Sequence, residues 1–138
     1  MRTLRGVSVI CLETSFLVRY LRGDTWTEEY LESVGPNVPV LMSSVSLYEL
    51  FAGAIRSRNE SIEWTRQKLP GVEIIAFDEA IAAETAEIRA TLLDRGEPIP
   101  GIDTLIAGTA RNAGATLIAV DDHFERVSGL DVHDPRDA

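Results

Sequence analysis

The chain has 138 residues, 45% of them apolar, enough to close a hydrophobic core and too apolar for general disorder. Its 13 basic and 22 acidic residues leave a net charge of −9, which repels phosphate at long range and excludes broad, non-specific nucleic-acid binding. A single cysteine, Cys11, excludes an intramolecular disulfide and fits a reduced, cytoplasmic setting, and no apolar run approaches the roughly 18 residues of a membrane span.

In chain order, Val7 to Leu12 is a short β-rich apolar run and reads as a buried strand. Two arginines precede it, as in a signal peptide, but the apolar stretch is too short and Glu13 interrupts it. Thr14 or Ser15 is placed to cap a following helix, in which Phe16, Leu17, Tyr20 and Leu21 recur at helical spacing before Gly23. A second amphipathic helix is expected over Thr27 to Val34, stopped by Gly35-Pro36, and a second strand over Val38 to Met42. Ser43 or Ser44 opens a helix to about Arg56, and Ser61 to Leu69 forms another, closed by Pro70-Gly71. Val72 to Phe77 is strand-like. The longest helical pattern runs from Asp78, its cap, to about Arg95, with Gly96 as terminator. After the rigid Pro98–Pro100 connector, a helix spans roughly Ile102 to Asn112. Ala115 to Val120 is the clearest buried strand, and Leu130 to His133 suggests a short edge strand.

Strands alternating with helices predict a parallel sheet in a three-layer α/β/α sandwich. No repeat, linker or low-complexity tract divides the chain, so residues 1–138 are expected to form one domain.

Four acids stand where one element gives way to the next, each among apolar neighbours: Glu13, Glu49, Asp103 and Asp121. A buried carboxylate is costly unless a cation or hydrogen-bond donors compensate it. Four such groups, with no Lys or Arg alternating among them, point to a hard divalent ion, Mg²⁺ or Mn²⁺. Glu13 and Asp121 directly follow strands, and ligands of an open parallel sheet bind beyond the carboxyl ends of its strands. Asp103 opens a helix, where a plain capping role competes with a site role. Glu49 lies within a helix, where periodicity alone also allows a solvent-facing side chain. Thr14, Ser15 and Asp122 are polar candidates beside these acids. Asp122 must point away if Asp121 enters a site. His123 and His133 form no HExxH or CxxC-type cluster, and no GxSxG elbow, Walker loop or GxGxxG fingerprint is present.

At these residues the sequence resembles the PIN domain family, specifically the VapC-like toxin ribonucleases of prokaryotic toxin–antitoxin pairs. The resemblance spans nearly the whole chain, through VSVICLETSFLVRYLRG, SLYELFAGA, PIPGIDTLIAGTARNAGATLIAVDDHF and the closing RVSGLDV. It implies a PIN-like α/β/α fold and cleavage of RNA phosphodiester bonds with Mg²⁺ or Mn²⁺. It also implies a cognate antitoxin partner and a homodimer. Glu49, Asp103 and Asp121 match the family's acidic positions. Glu13 stands where the pattern has Asp, in a segment that reads ETS rather than DTS, and the added methylene moves the carboxylate outward by roughly 1.5 Å.

That departure motivates one alternative, a catalytically weak PIN-like module that binds an antitoxin or RNA. A receiver-like phosphoacceptor domain, which also gathers acids at strand ends, is a second. Arg19, Arg22, Arg56 and Arg58 are placed either to guide an RNA backbone or to pair with the many acids. Trp26, Tyr30, Phe51 and Trp64 are candidates for a protein interface or, by default, for the core.

Overall fold

The computed structural model of the protein describes residues 8–57 and 60–137. The start of the first expected strand at Val7, and Arg58, lie outside the described residues. Five parallel strands form one sheet: β1 (Ile10–Leu12), β2 (Val40–Ser43), β3 (Glu73–Ile75), β4 (Thr116–Ile118) and β5 (Val132–His133), in the order β3-β2-β1-β4-β5. Six α-helices connect them: α1 (Thr14–Arg22), α2 (Thr25–Ser33), α3 (Ser44–Ser57), α4 (Ile62–Lys68), α5 (Glu79–Asp94) and α6 (Gly101–Asn112). A 3-10 helix, Asp122–Arg126, follows β4; with no 3.6-residue period it left no signature in the sequence.

Because successive strand side chains point to opposite faces, β1 feeds two cores. Cys11 joins Leu41, Leu117, Ile88, Ile106 and Phe124 on the face covered by α5 and α6. Ile10 and Leu12 join Phe16, Leu17, Met42, Leu50 and Ile118 on the other. The three-layer α/β/α expectation is thus met. β3 and β4 are shorter than their apolar runs, which continue into loops at both ends, whereas β2 runs one residue past its expected end, to Ser43.

One cap and one helix start differ from expectation. Neither Thr14 nor Ser15 caps α1; Glu13 does, its carboxylate accepting from the Ser15 backbone N–H at 3.0 Å. The Thr14 hydroxyl is drawn instead to α3. At the far end the left-handed Gly23 (φ +91°) closes α1 with backbone bonds to Arg19 and Tyr20. Helix α2 begins at Thr25, two residues earlier than its apolar pattern, after Asp24.

α5 and α6 approach each other at Gly108. A Cβ there would lie 2.9 Å from Thr85 Cβ and 3.1 Å from its Cα. The second contact is backbone, so it cannot be relieved by a rotamer change. Gly108→Ala is therefore expected to destabilise the fold by about 1–3 kcal/mol through overpacking; an unchanged urea midpoint would show that the two helices separate freely.

Candidate metal centre

Sheet order explains why distant acids meet. The chain leaves β1 toward β2 and β3, then returns through α5 and α6 to place β4 on the other side of β1. The crevice beyond β1 and β4 is the switch point at which open α/β sheets bind ligands. Leu12 is paired with Ile118, and the Glu13 N–H donates to the Ile118 carbonyl at 3.0 Å. Glu13 and Asp121 are thereby set on one rim.

Glu13 is buried, at 3% exposure. The Ser15 N–H and the Ser15 hydroxyl both donate to its Oε1. Burial pushes its pKa from an ordinary 4.5 up to about 7; the Ser15 bonds pull the other way, and the charges of Asp103 and Asp121 add to the rise. Asp103 and Asp121 are thus both within electrostatic reach of Glu13. Ser15 also ties the two strand ends together, since its Oγ accepts from the Val120 N–H at 3.3 Å.

Glu49 is half-buried, and the Thr14 hydroxyl donates to its Oε1 at 2.7 Å. The solvent-facing alternative for Glu49 does not hold. Asp103 lies in the first turn of α6 and caps nothing. Its Oδ2 sits 2.6 Å from His123 Nε2, and both side chains are 18% exposed. Asp121 is 53% exposed, with Oδ1 3.7 Å from His123 Nδ1. Asp122 begins the 3-10 helix and is exposed. Sequence reasoning missed His123 as part of this group. A polar ring two residues beyond a strand-end acid was its only signal.

The donor chemistry suits a hard divalent cation: oxygen donors only, one of them buried, its pKa raised chiefly by that burial and further by the charges of Asp103 and Asp121. Three of the acids are nonetheless held by partners of their own, Glu13 by Ser15, Glu49 by Thr14 and Asp103 by His123, whereas Asp121 has only the 3.7 Å approach to His123 Nδ1. Among the described residues, no group of three or more His, Cys, Asp or Glu side chains is placed to hold a metal ion between them.

The titration of Glu13 has a sign that can be measured. Between about pH 4.5 and 7 the folded chain binds a proton that the unfolded chain has released. Stability from this group therefore falls as pH rises through that window, by about 3 kcal/mol in all. Glu13→Gln keeps an acceptor for Ser15 and carries no charge, so in metal-free buffer it is expected to gain that amount on wild type between pH 5 and pH 8. Parallel denaturation profiles for the two proteins would refute this.

Beside Glu49, Val18, Leu21, Leu50, Ala54 and Trp64 line an open groove of about 280 Å³. Of the other aromatic candidates, Trp26 and Tyr30 pack edge-on against Phe16, and Phe51 lies under Arg66. Arg22 is committed to Asp24, with Nη2 2.7 Å from Oδ2.

The sequence profile of the PIN domain family matches residues 10–130. The chain belongs to the PIN domain family, as a VapC-like member. It is 34% identical over 96 residues to the tRNA(fMet)-specific endonuclease VapC of Shigella flexneri, covering 67% of this chain and 73% of that protein. The enzyme of the same name from Salmonella typhimurium is 32% identical over 98 residues, with the same coverage of each chain. Among solved structures, VapBC2 from Rickettsia felis, bound to a DNA fragment from its promoter, superposes with a TM-score of 0.81 at 28% identity. That match covers 91% of this chain and 97% of the other. VapBC-1 from nontypeable Haemophilus influenzae shares the fold, with a TM-score of 0.80 at 24% identity over 94% and 99% of the two chains. The family match excludes the receiver-like alternative.

Proposed function

We propose that this chain is the toxin of a VapBC-type toxin–antitoxin pair, a divalent-metal-dependent endoribonuclease that hydrolyses RNA phosphodiester bonds in the cytoplasm. The observation that carries the reading is the buried Glu13 carboxylate at the switch point of the sheet, on the strand-end rim it shares with Asp121. Glu13, Glu49, Asp103 and Asp121 are the residues that would hold Mg²⁺ or Mn²⁺. The cation supplies charge neutralisation and Lewis-acid polarisation of the phosphoryl group. The protein's part would be to bring these carboxylates to the crevice, with Ser15 bonded to Glu13, Thr14 to Glu49 and His123 to Asp103. It also closes the rear of the crevice with the dry core under β1 and β4.

With a net charge of −9, the acidic surface favours RNA only where that charge is locally reversed, so activity depends on the cation. The apolar groove beside Glu49 is a surface on which a cognate antitoxin would sit next to the site. Tyr48 and Ile55, 62% and 52% exposed on α3, offer apolar area to an antitoxin or to a second copy in a homodimer.

One observation favours the weaker-enzyme reading: Glu13, in place of the family's Asp, turns back onto Ser15 and holds its proton to about pH 7. Purified protein is expected to cut RNA with added Mn²⁺ or Mg²⁺ and to stop in excess EDTA. Cleavage undiminished by EDTA would sink the metal reading. Activity found only in Glu13→Asp would establish the binding module.

A further inference from the structure

His123 is absorbed by neither the sequence motifs nor the four-carboxylate site, yet it stands between two of those carboxylates. Nε2 is 2.6 Å from Asp103 Oδ2, and Nδ1 is 3.7 Å from Asp121 Oδ1. An ionised carboxylate only accepts hydrogen bonds, so Nε2 carries the hydrogen and donates. The ring is anchored from behind. It packs 4.8 Å, centroid to centroid, from Phe124, whose side chain is fully buried in the α5–α6 core. The segment that carries it is fastened as well. Arg126 donates to the Pro98 carbonyl at 3.1 Å, and Arg95 donates to the Arg126 carbonyl at 2.7 Å. Pro98 belongs to the connector that leads into α6, the helix bearing Asp103. The 3-10 helix and the start of α6 are therefore one braced unit, and the histidine bond spans it.

We propose that His123 is a positioning residue for the cation site: by donating to Oδ2 it fixes the Asp103 carboxylate and leaves Oδ1 as the oxygen available to a divalent ion. The proposal rests on the metal-site reading above. Hydrogen-bond partners of this kind orient ligands, and their removal typically lowers metal affinity 10–100-fold.

The test is Mn²⁺ affinity, read by titration calorimetry or by the free-ion paramagnetic resonance signal, with no RNA present. His123→Ala and His123→Phe both remove the donor, and the second keeps a ring against Phe124. His123→Gln keeps a donor at a similar reach. Affinity is expected to fall about 10- to 100-fold in the Ala and Phe variants and to stay within about threefold of wild type in Gln. Thermal midpoints measured in EDTA identify the variants that fold; if Ala fails, the Phe–Gln pair decides. Phe binding Mn²⁺ as tightly as wild type would overturn the proposal, as would Gln binding as weakly as Phe. Wild-type protein that takes up no Mn²⁺ would instead remove the metal reading, and this proposal with it.

Discussion

Asp103→Asn is expected to lower metal-dependent RNA cleavage at least about a hundredfold, equivalent to about 2.7 kcal/mol of transition-state stabilisation. The change removes one negative charge from a crevice where Asp103 also acts on Glu13. Asn retains an oxygen that accepts from His123, so the brace between α6 and the 3-10 helix survives and the fold is expected to persist. A second consequence separates site damage from misfolding. With one carboxylate neutral, Glu13 loses part of the repulsion that raises its folded-state pKa, so the pH-dependent loss of stability should still begin near the unfolded pKa but end at lower pH and be smaller in total. Cleavage within a few-fold of wild type, at equal thermal midpoint, would remove Asp103 from the site.

Phe16→Ala is expected to cost about 3–5 kcal/mol of folding stability, the usual range for truncating a buried aromatic side chain. Phe16 is fully buried, and its ring meets Trp26 at 5.8 Å and Tyr30 at 6.0 Å, both edge-on. Those two rings fasten α2 to α1, and such pairs contribute beyond the area they bury. Against a typical total of about 5–15 kcal/mol, the loss is a large fraction of the margin. The position is also two residues past Thr14 and one past Ser15, so slackening here reaches the donors that hold Glu49 and Glu13. A denaturation loss below about 1 kcal/mol would mean that α2 is anchored elsewhere.

The elements were legible because periodicity and punctuation agreed. Gly23 and Gly96 take the left-handed conformations that end α1 and α5, and Asp78 and Ser61 accept from the first-turn N–H groups of α5 and α4. Sheet order was not legible, because the pairing of β4 with β1 rather than β3 depends on which face the crossover helices cover. At the site, the strand-end positions of Glu13 and Asp121 followed from sequence alone. What Glu13 does with its length did not. Thr14 and Ser15 are both good caps by residue type, and only the fold shows that α3 recruits the first and that a carboxylate displaces the second. His123 forms no zinc-type cluster, so no metal motif in its local sequence marks it as part of a site. Its partner Asp103 lies 20 positions earlier on another element, a separation at which no local pattern operates.

The hydroxyl of Ser15 and the amide of Val120 are 105 positions apart in the chain, and they meet only when β4 docks beside β1. Contacts of such long range form late and slowly. On the ribosome, a nascent chain emerges amino end first, so Glu13 and Glu49 leave the exit tunnel well before Asp121 can join them. The crevice between β1 and β4 therefore assembles only after β4 has emerged and docked beside β1.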